Sequence, residues 1–200
     1  MPKLITILAP LGFAAAAPVL AQATDNWRSV ATAADERRIA ESADAWQTGL
    51  AEARRADRRG LARLGTVVNR TAALPRPQPT PGNYRCRTIK LGSKGEGTSG
   101  FIAYGWFNCR VTLSAGGDLT LTKTTGSQRP MGKLYPHNSR ALVFVGTLAL
   151  SSTERTWPRY GTLPDRDVVG IFERIGSNRY RLVMPQPSTE SELDILELVR

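Results

Sequence analysis

Apolar residues along the chain follow two different periods, and the change falls near residue 74. Ile39, Ala43, Trp46, Leu50 and Ala53 recur at alternating four- and three-residue steps, one face of a helix. The stretch from Thr24 to about Leu64 therefore reads as helical. Thr32, followed three residues later by Asp35, supplies an N-cap pattern. Trp46 and Leu50 are expected to dock this face onto the rest of the protein. Gly60 is expected to end or bend the helix, because glycine costs about 1 kcal/mol relative to alanine in a helix interior.

Beyond residue 82 the pattern becomes short alternating or wholly apolar runs separated by turn residues. Strands are predicted near Tyr84–Leu91, Ile102–Leu113, Leu119–Thr124, Lys133–Tyr135, Leu142–Leu150, Val168–Ile175, Tyr180–Met184 and Leu193–Val199. "GSKGEGTSG", "SAGGD", "GSQRPMG", "PHNS" and "GSN" supply the breaks. "ALVFVGTLAL" is apolar on both faces, so its strand should be central, with Gly146 permitting a bend or a close approach. The predicted fold class is α+β, mainly β. An N-terminal helical segment precedes a small antiparallel barrel of about eight strands, lipocalin-like in scale, with a two-sheet sandwich as the alternative.

"LPRPQPTPG", residues 74–82, carries four prolines and reads as a stiff extended linker. It separates a helical segment, 24–73, from the β domain, 83–200. Before both stands a secretory signal: Lys3, an uncharged run from Leu4 to Leu20, then small residues at Val19-Leu20-Ala21 and Ala21-Gln22-Ala23. Pro10, Pro18 and the alanine content argue against a membrane anchor. Cleavage is expected after Ala23 or Ala21, making residues 1–23 the signal peptide and leaving a periplasmic or secreted protein with no transmembrane span.

An exported chain with two cysteines implies a disulfide. The glycine-rich stretch Gly92–Gly100 lies between Cys86 and Cys109. Folding about its middle brings together residues whose numbers sum to about 195, which places the two cysteines opposite each other. A metal centre or a catalytic thiol is disfavoured, because His137 is the single histidine. No cofactor and no metal are expected.

The formal net charge of +10 reads most simply as a solubilising basic surface; as a binding signal it points to an anionic partner. Export redirects that from nucleic acid to lipid headgroups, anionic polysaccharide or wall polymer. Arg54, Arg55, Arg58, Arg59 and Arg63 form a basic stripe on the first helical segment, a pattern that is ordinarily a solvated face. In the β domain, alternation puts Arg85, Arg87 and Arg110 on one side of a hairpin, opposite the cysteines, and Arg129 in a tight turn. These four are the candidate anion-binding residues. Asp165, Asp167, Glu173, Glu190 and Asp194 form the candidate acidic or ion-pair set, and the simplest arrangement pairs Arg85, Arg87 or Arg129 with Asp167, Glu190 or Asp194. No nucleophile elbow, phosphate-binding loop or Ser-His-Asp set is present, so no catalytic residue is assigned.

"YRCRTIKLG", "TGSQRPMGKLYP", "VFVGTLAL", "RDVVGIFERIG", "RYRLVMPQP" and "ESELDILELV", in this order, resemble a family of small exported Gram-negative bacterial proteins, the domain of unknown function numbered 4893. That resemblance implies one domain behind an exported N-terminus and supplies no site residues. The expected function is a non-catalytic binding module for an anionic small ligand or envelope component. An inhibitor or accessory partner of an envelope enzyme is the alternative, and a carboxylate-dependent glycan hydrolase using Asp167 or Glu190 is the less favoured third.

Overall fold

The computed structural model describes residues 26–95 and 97–200, so the signal peptide expected over 1–23 lies outside the described residues. A 3-10 turn, Trp27–Ser29, leads into helices α1 (Ala33–Ala40) and α2 (Ser42–Arg63). Thr32 caps α1 as its pattern predicts, its hydroxyl accepting the Asp35 N–H. Helix α2 breaks at Asp57, three residues before the expected glycine, where the backbone is extended. The Asp57 carboxylate accepts the Gly60 N–H at 2.7 Å and so restarts the helix beyond the break.

Nine strands follow: β1 (Gly82–Leu91), β2 (Phe101–Ala103), β3 (Phe107–Leu113), β4 (Leu119–Lys123), β5 (Arg129–Asn138), β6 (Ala141–Ala149), β7 (Asp167–Gly176), β8 (Arg179–Pro185) and β9 (Leu193–Val199). Strands β3 to β9 pair in sequence, all antiparallel, and β1 joins β3 to β9, closing an eight-stranded barrel. The short β2 adds a ninth strand alongside the second half of β1. A barrel, rather than a sandwich, accounts for the all-round apolarity of β6: alternate residues face the interior and a helical cover.

The single strand expected over Ile102–Leu113 is two. Tyr104, Gly105 and Trp106 interrupt it, and the pairing with β1 slips by one residue across them. Arg129 begins β5 rather than standing in a turn, and β5 is longer than the expected Lys133–Tyr135. The disulfide Cys86–Cys109 forms, with Cα atoms 5.8 Å apart. Its register differs from the expected one, for Cys86 lies opposite Phe107 and Cys109 opposite Tyr84. The bond runs diagonally, because the hairpin turns about residue 96 and the slip at Tyr104–Trp106 leaves β1 and β3 paired at numbers that sum to 193 rather than 195.

Three apolar clusters hold the molecule. Phe144, Phe172, Leu121, Leu182, Leu196 and Leu198 fill the barrel. Trp46, Leu50, Ala53 and Leu61 of α2 cover Ile89, Leu91, Val183 and Ile195 on its outer face. Trp27 and Ile39 cover Val143, Val145 and Val169. Gly132 and Gly146 face each other on β5 and β6, and a Cβ on Gly146 would lie 2.5 Å from the Gly132 Cα, which explains the glycine inside the apolar run.

Arg181 ties the helical segment to the barrel. It is fully buried on the outer face of β8, pairs with Glu173 at 2.6 Å, and donates to the carbonyls of Val67 and Asn69. Its guanidinium also stacks over Trp46. The proline-rich segment lies across one end of the barrel: Arg174 donates to the Pro75 and Arg76 carbonyls, the Arg76 N–H to Ser139, and the Tyr84 hydroxyl to Thr80. The opposite end carries the polar interior residues.

Candidate functional site

Alternation along β1 turns Tyr84, Cys86, Thr88 and Lys90 inward, and along β4 it turns Leu119, Leu121 and Lys123 inward. The apolar members pack the core. Lys90 and Lys123 come last on their strands and reach the end of the barrel away from the proline-rich segment. There they meet Asp194, the inward residue opposite Lys90 on β9.

This mouth contains a cleft of about 220 Å³ lined by Thr88, Tyr104, Phe107, Lys123, Gln128 and Glu190, with Ser127 at its edge. A smaller cavity of about 40 Å³ adjoins it, sharing Thr88 and Gln128, and continues between Pro130, Leu148, Met184 and Leu196. The segment from Gln186 to Glu190 closes over that cavity, and both of these residues adopt left-handed backbone conformations that non-glycine residues seldom take. Such conformations concentrate at ligand-handling segments.

The two lysines differ in kind. Lys90 pairs with Glu190 at 2.8 Å and with Asp194 at 3.5 Å. Burial acts to lower its pKa, but the Asp194 and Glu190 carboxylates outweigh burial and raise it. Asp194 also accepts the Ser191 hydroxyl, and burial pushes its own pKa up. Lys123 is only 3 % exposed and forms no ion pair among the described residues. Its ammonium donates to the Gln128 carbonyl at 2.9 Å and lies 4.1 Å from the centre of the Phe107 ring. Burial first, then the cations of Lys90 and Arg129, lower its pKa to about 8. A buried cation with one carbonyl and an aromatic face, opening to a cleft, has the chemistry to attract a negative charge.

The predicted basic residues lie elsewhere. Arg85, Arg87 and Arg110 do share one side of the sheet, and it is the outside of the barrel. The guanidinia of Arg85 and Arg87 each lie 4.8 Å from the centre of the Trp106 ring. Arg87 pairs with Glu197 at 2.6 Å, and that buried carboxylate is shared with Arg179. Arg110 is exposed on β3. Arg129 is buried against Trp157 and donates to the carbonyls of Ser151 and Glu154. None of the four lines the mouth cleft.

The acidic set is likewise divided. Asp167 accepts the Gly161 N–H at 3.0 Å, Glu173 holds Arg181, and Asp165 stands in an exposed 3-10 turn. Glu190 and Asp194 reach the mouth, paired with Lys90. The expected pairing of Arg85, Arg87 or Arg129 with Asp167, Glu190 or Asp194 is thus replaced by Arg87–Glu197 and Lys90–Glu190–Asp194: the arginines point outward, Glu190 and Asp194 face the mouth, and Asp167, on the outer face with Val169, is held by the Gly161 N–H. His137 sits at the exposed end of β5 with its ring edge against Trp27. Among the described residues no three His, Cys, Asp or Glu side chains gather as metal ligands, and no helix is long and apolar enough to cross a membrane.

Lys90, Lys123, Thr88 and Gln128 are the site residues that sequence reasoning missed. The signal was present: once the cysteines mark the inward face, two-residue alternation places Thr88 and Lys90 on that face as well. No curated protein matches the sequence. The model of the domain of unknown function DUF4893 matches residues 27–198, nearly the whole of the helical segment and the barrel, and the chain belongs to that family.

Proposed function

We propose that the protein is an exported, non-catalytic binding module that takes a small anionic ligand into the mouth of its barrel. The observation that carries this reading is Lys123, a buried ammonium that lines a cleft and has no carboxylate partner among the described residues. Folding a protein around such a charge is unfavourable, and an incoming carboxylate or phosphate removes the penalty. Thr88, Gln128 and Tyr104 offer further polar contacts, while the small cavity behind them, bordered by Arg38, Asp167 and Asp194 as well as by Leu148, Met184 and Leu196, accepts a small group. At about 220 Å³ the cleft is smaller than the ~300–1,000 Å³ of drug-sized sites, which suits a ligand of metabolite size.

Titration calorimetry with a panel of small carboxylates and phosphate esters tests the reading. Binding by the native chain that is lost in Lys123→Met supports it. Absence of binding across the panel, or equal affinity in the variant, refutes it. Affinity should also fall as pH rises through about 8, where the ammonium loses its proton.

One observation favours a second reading, a protein partner in the envelope. Trp106 is 40 % exposed on the outer wall against Arg85 and Arg87, and Tyr104, two residues before it at the mouth, is equally exposed. Exposed tryptophan, tyrosine and arginine together are the residue types that dominate protein interfaces. A pull-down from envelope extract that fails with Trp106→Ala but not with Lys123→Met would favour it.

A further inference from the structure

The basic stripe of α2 plays no part in the barrel mouth. Arg54, Arg55, Arg58, Arg59, Arg63 and Arg70 are all exposed, and none forms an ion pair among the described residues. The two carboxylates of the same stretch are already engaged: Glu52 accepts the Ser93 N–H at 2.9 Å, and Asp57 caps Gly60. Both keep their negative charge, but six guanidinium groups against these two carboxylates leave a local excess of four positive charges.

The break at Asp57 also gives this surface a shape. Helix α2 and the 3-10 turn Gly65–Val68 after it enclose the largest of the clefts described, about 520 Å³. Arg54, Arg55 and Arg58 line it, with Leu50, Leu61 and Val68 among its apolar lining. Guanidinia at the rim of an apolar-lined concavity complement a molecule that joins an anionic oxygen group to a hydrocarbon shoulder. We propose that this cleft docks the phosphate headgroup of an anionic membrane lipid, with the adjoining glycerol and acyl carbons against Leu50, Leu61 and Val68. The helix need not insert, so its lack of a wide apolar face is no obstacle. The site is independent of Lys123, and the protein would carry its barrel mouth on a surface tethered through α2.

The test is co-sedimentation of the full chain with vesicles of equimolar phosphatidylglycerol and phosphatidylcholine, compared with pure phosphatidylcholine. The native chain and Lys123→Met should both bind the anionic vesicles, with affinity falling as salt rises. Arg54→Gln/Arg55→Gln/Arg58→Gln should bind about a hundredfold more weakly, and Arg58→Gln alone about fivefold more weakly. These residues are exposed, and circular dichroism checks that the fold is kept. Equal binding to neutral vesicles, undiminished binding by the triple variant, or no binding by the native chain overturns the proposal. Inorganic phosphate displacing the protein at the same phosphate concentration would assign the cleft to the free anion and overturn it as well.

Discussion

Replacing Lys123 by methionine should make the protein more stable at neutral pH, and the gain should disappear in alkali. The ammonium has a pKa of about 8 in the fold against 10.5 for the free side chain. At ~1.4 kcal/mol per pKa unit, carrying the charge into the barrel costs about 3 kcal/mol at pH 7. Below pH 8 both folded and unfolded chains hold the proton, so the whole cost is present. Between pH 8 and 10.5 the folded chain has released its proton while the unfolded chain keeps it, and stability rises with pH. Methionine fills a similar volume and carries no charge, so the variant lacks this dependence. Urea unfolding followed by tryptophan fluorescence at steps from pH 7 to 10.5 measures the difference. It should begin near 3 kcal/mol in favour of Lys123→Met and shrink to a few tenths by pH 10.5. Tyrosine ionisation affects both chains alike and cancels in the difference. A gap that stays constant with pH, or a variant less stable than the native chain at pH 7, would refute the claim that Lys123 is held at an energetic cost. Residues retained at such a cost are characteristic of binding sites rather than of cores.

Other parts of the structure make further demands. Serine at Cys86 and Cys109 together should lower stability by about 3 kcal/mol, the loop-closure value for this separation, in denaturant unfolding compared with the oxidised native chain. Arg181→Met should cost about 3–5 kcal/mol, because it strands Glu173 and the Val67 and Asn69 carbonyls, and hydrogen exchange should quicken over residues 64–73. Tyr160, whose hydroxyl donates to Asp35 and accepts the Thr32 N–H, has its pKa raised to about 12, chiefly by burial. Its contribution to stability is full below pH 10 and is lost as pH rises towards 12, opposite in sign to that of Lys123. Tyr160→Phe should cost about 1–3 kcal/mol at pH 8, and the 295 nm absorbance titration should lose its late-ionising component.

The architecture was legible because the strands are marked locally, by alternation or an apolar run and by a turn after it, all but the short β2, which ran on into β3 without a turn signal. The barrel interior was legible only in part. Arg85 and Arg87 attracted attention by flanking Cys86, but a residue flanking an inward cysteine points outward by the geometry of a strand. Lys90 lies four residues beyond Cys86 and so points inward, yet an isolated lysine in an apolar run reads as a strand-edge charge. Lys123 was harder still. Its inward direction follows from Leu119 and Leu121, but its lack of an ion pair among the described residues depends on Glu190 and Asp194, 67 and 71 positions away, pairing with Lys90 instead. Pairings across a closed sheet are set by the whole barrel, and no local pattern records them. The symmetry argument for the disulfide reached the right pair through a register two residues off, because diagonal neighbours on a sheet are also close enough to bond.

That diagonal bond bears on the site itself. Lys123 is the register partner of Cys109, so the disulfide anchors the residue directly across from the desolvated amine. Strands β2 and β3 separate just beyond, at Tyr104–Trp106, where the Tyr104 N–H still donates to the Thr88 carbonyl at 3.0 Å. Without a covalent link at this point, the gap in the wall is where the barrel would open to let water reach Lys123. Reduction should therefore do more than lower global stability. It should raise the pKa of Lys123 from about 8 towards 10.5, because the penalty that depresses it depends on exclusion of water. Side-chain NMR titration of the lysine Cε resonances, in the native chain and in the double serine variant under conditions where both are folded, distinguishes the outcomes. A resonance assigned to Lys123 that titrates near 8 in both proteins would make the disulfide a staple for the fold alone. A shift upward in the variant would show that the same bond keeps the barrel mouth dry around Lys123.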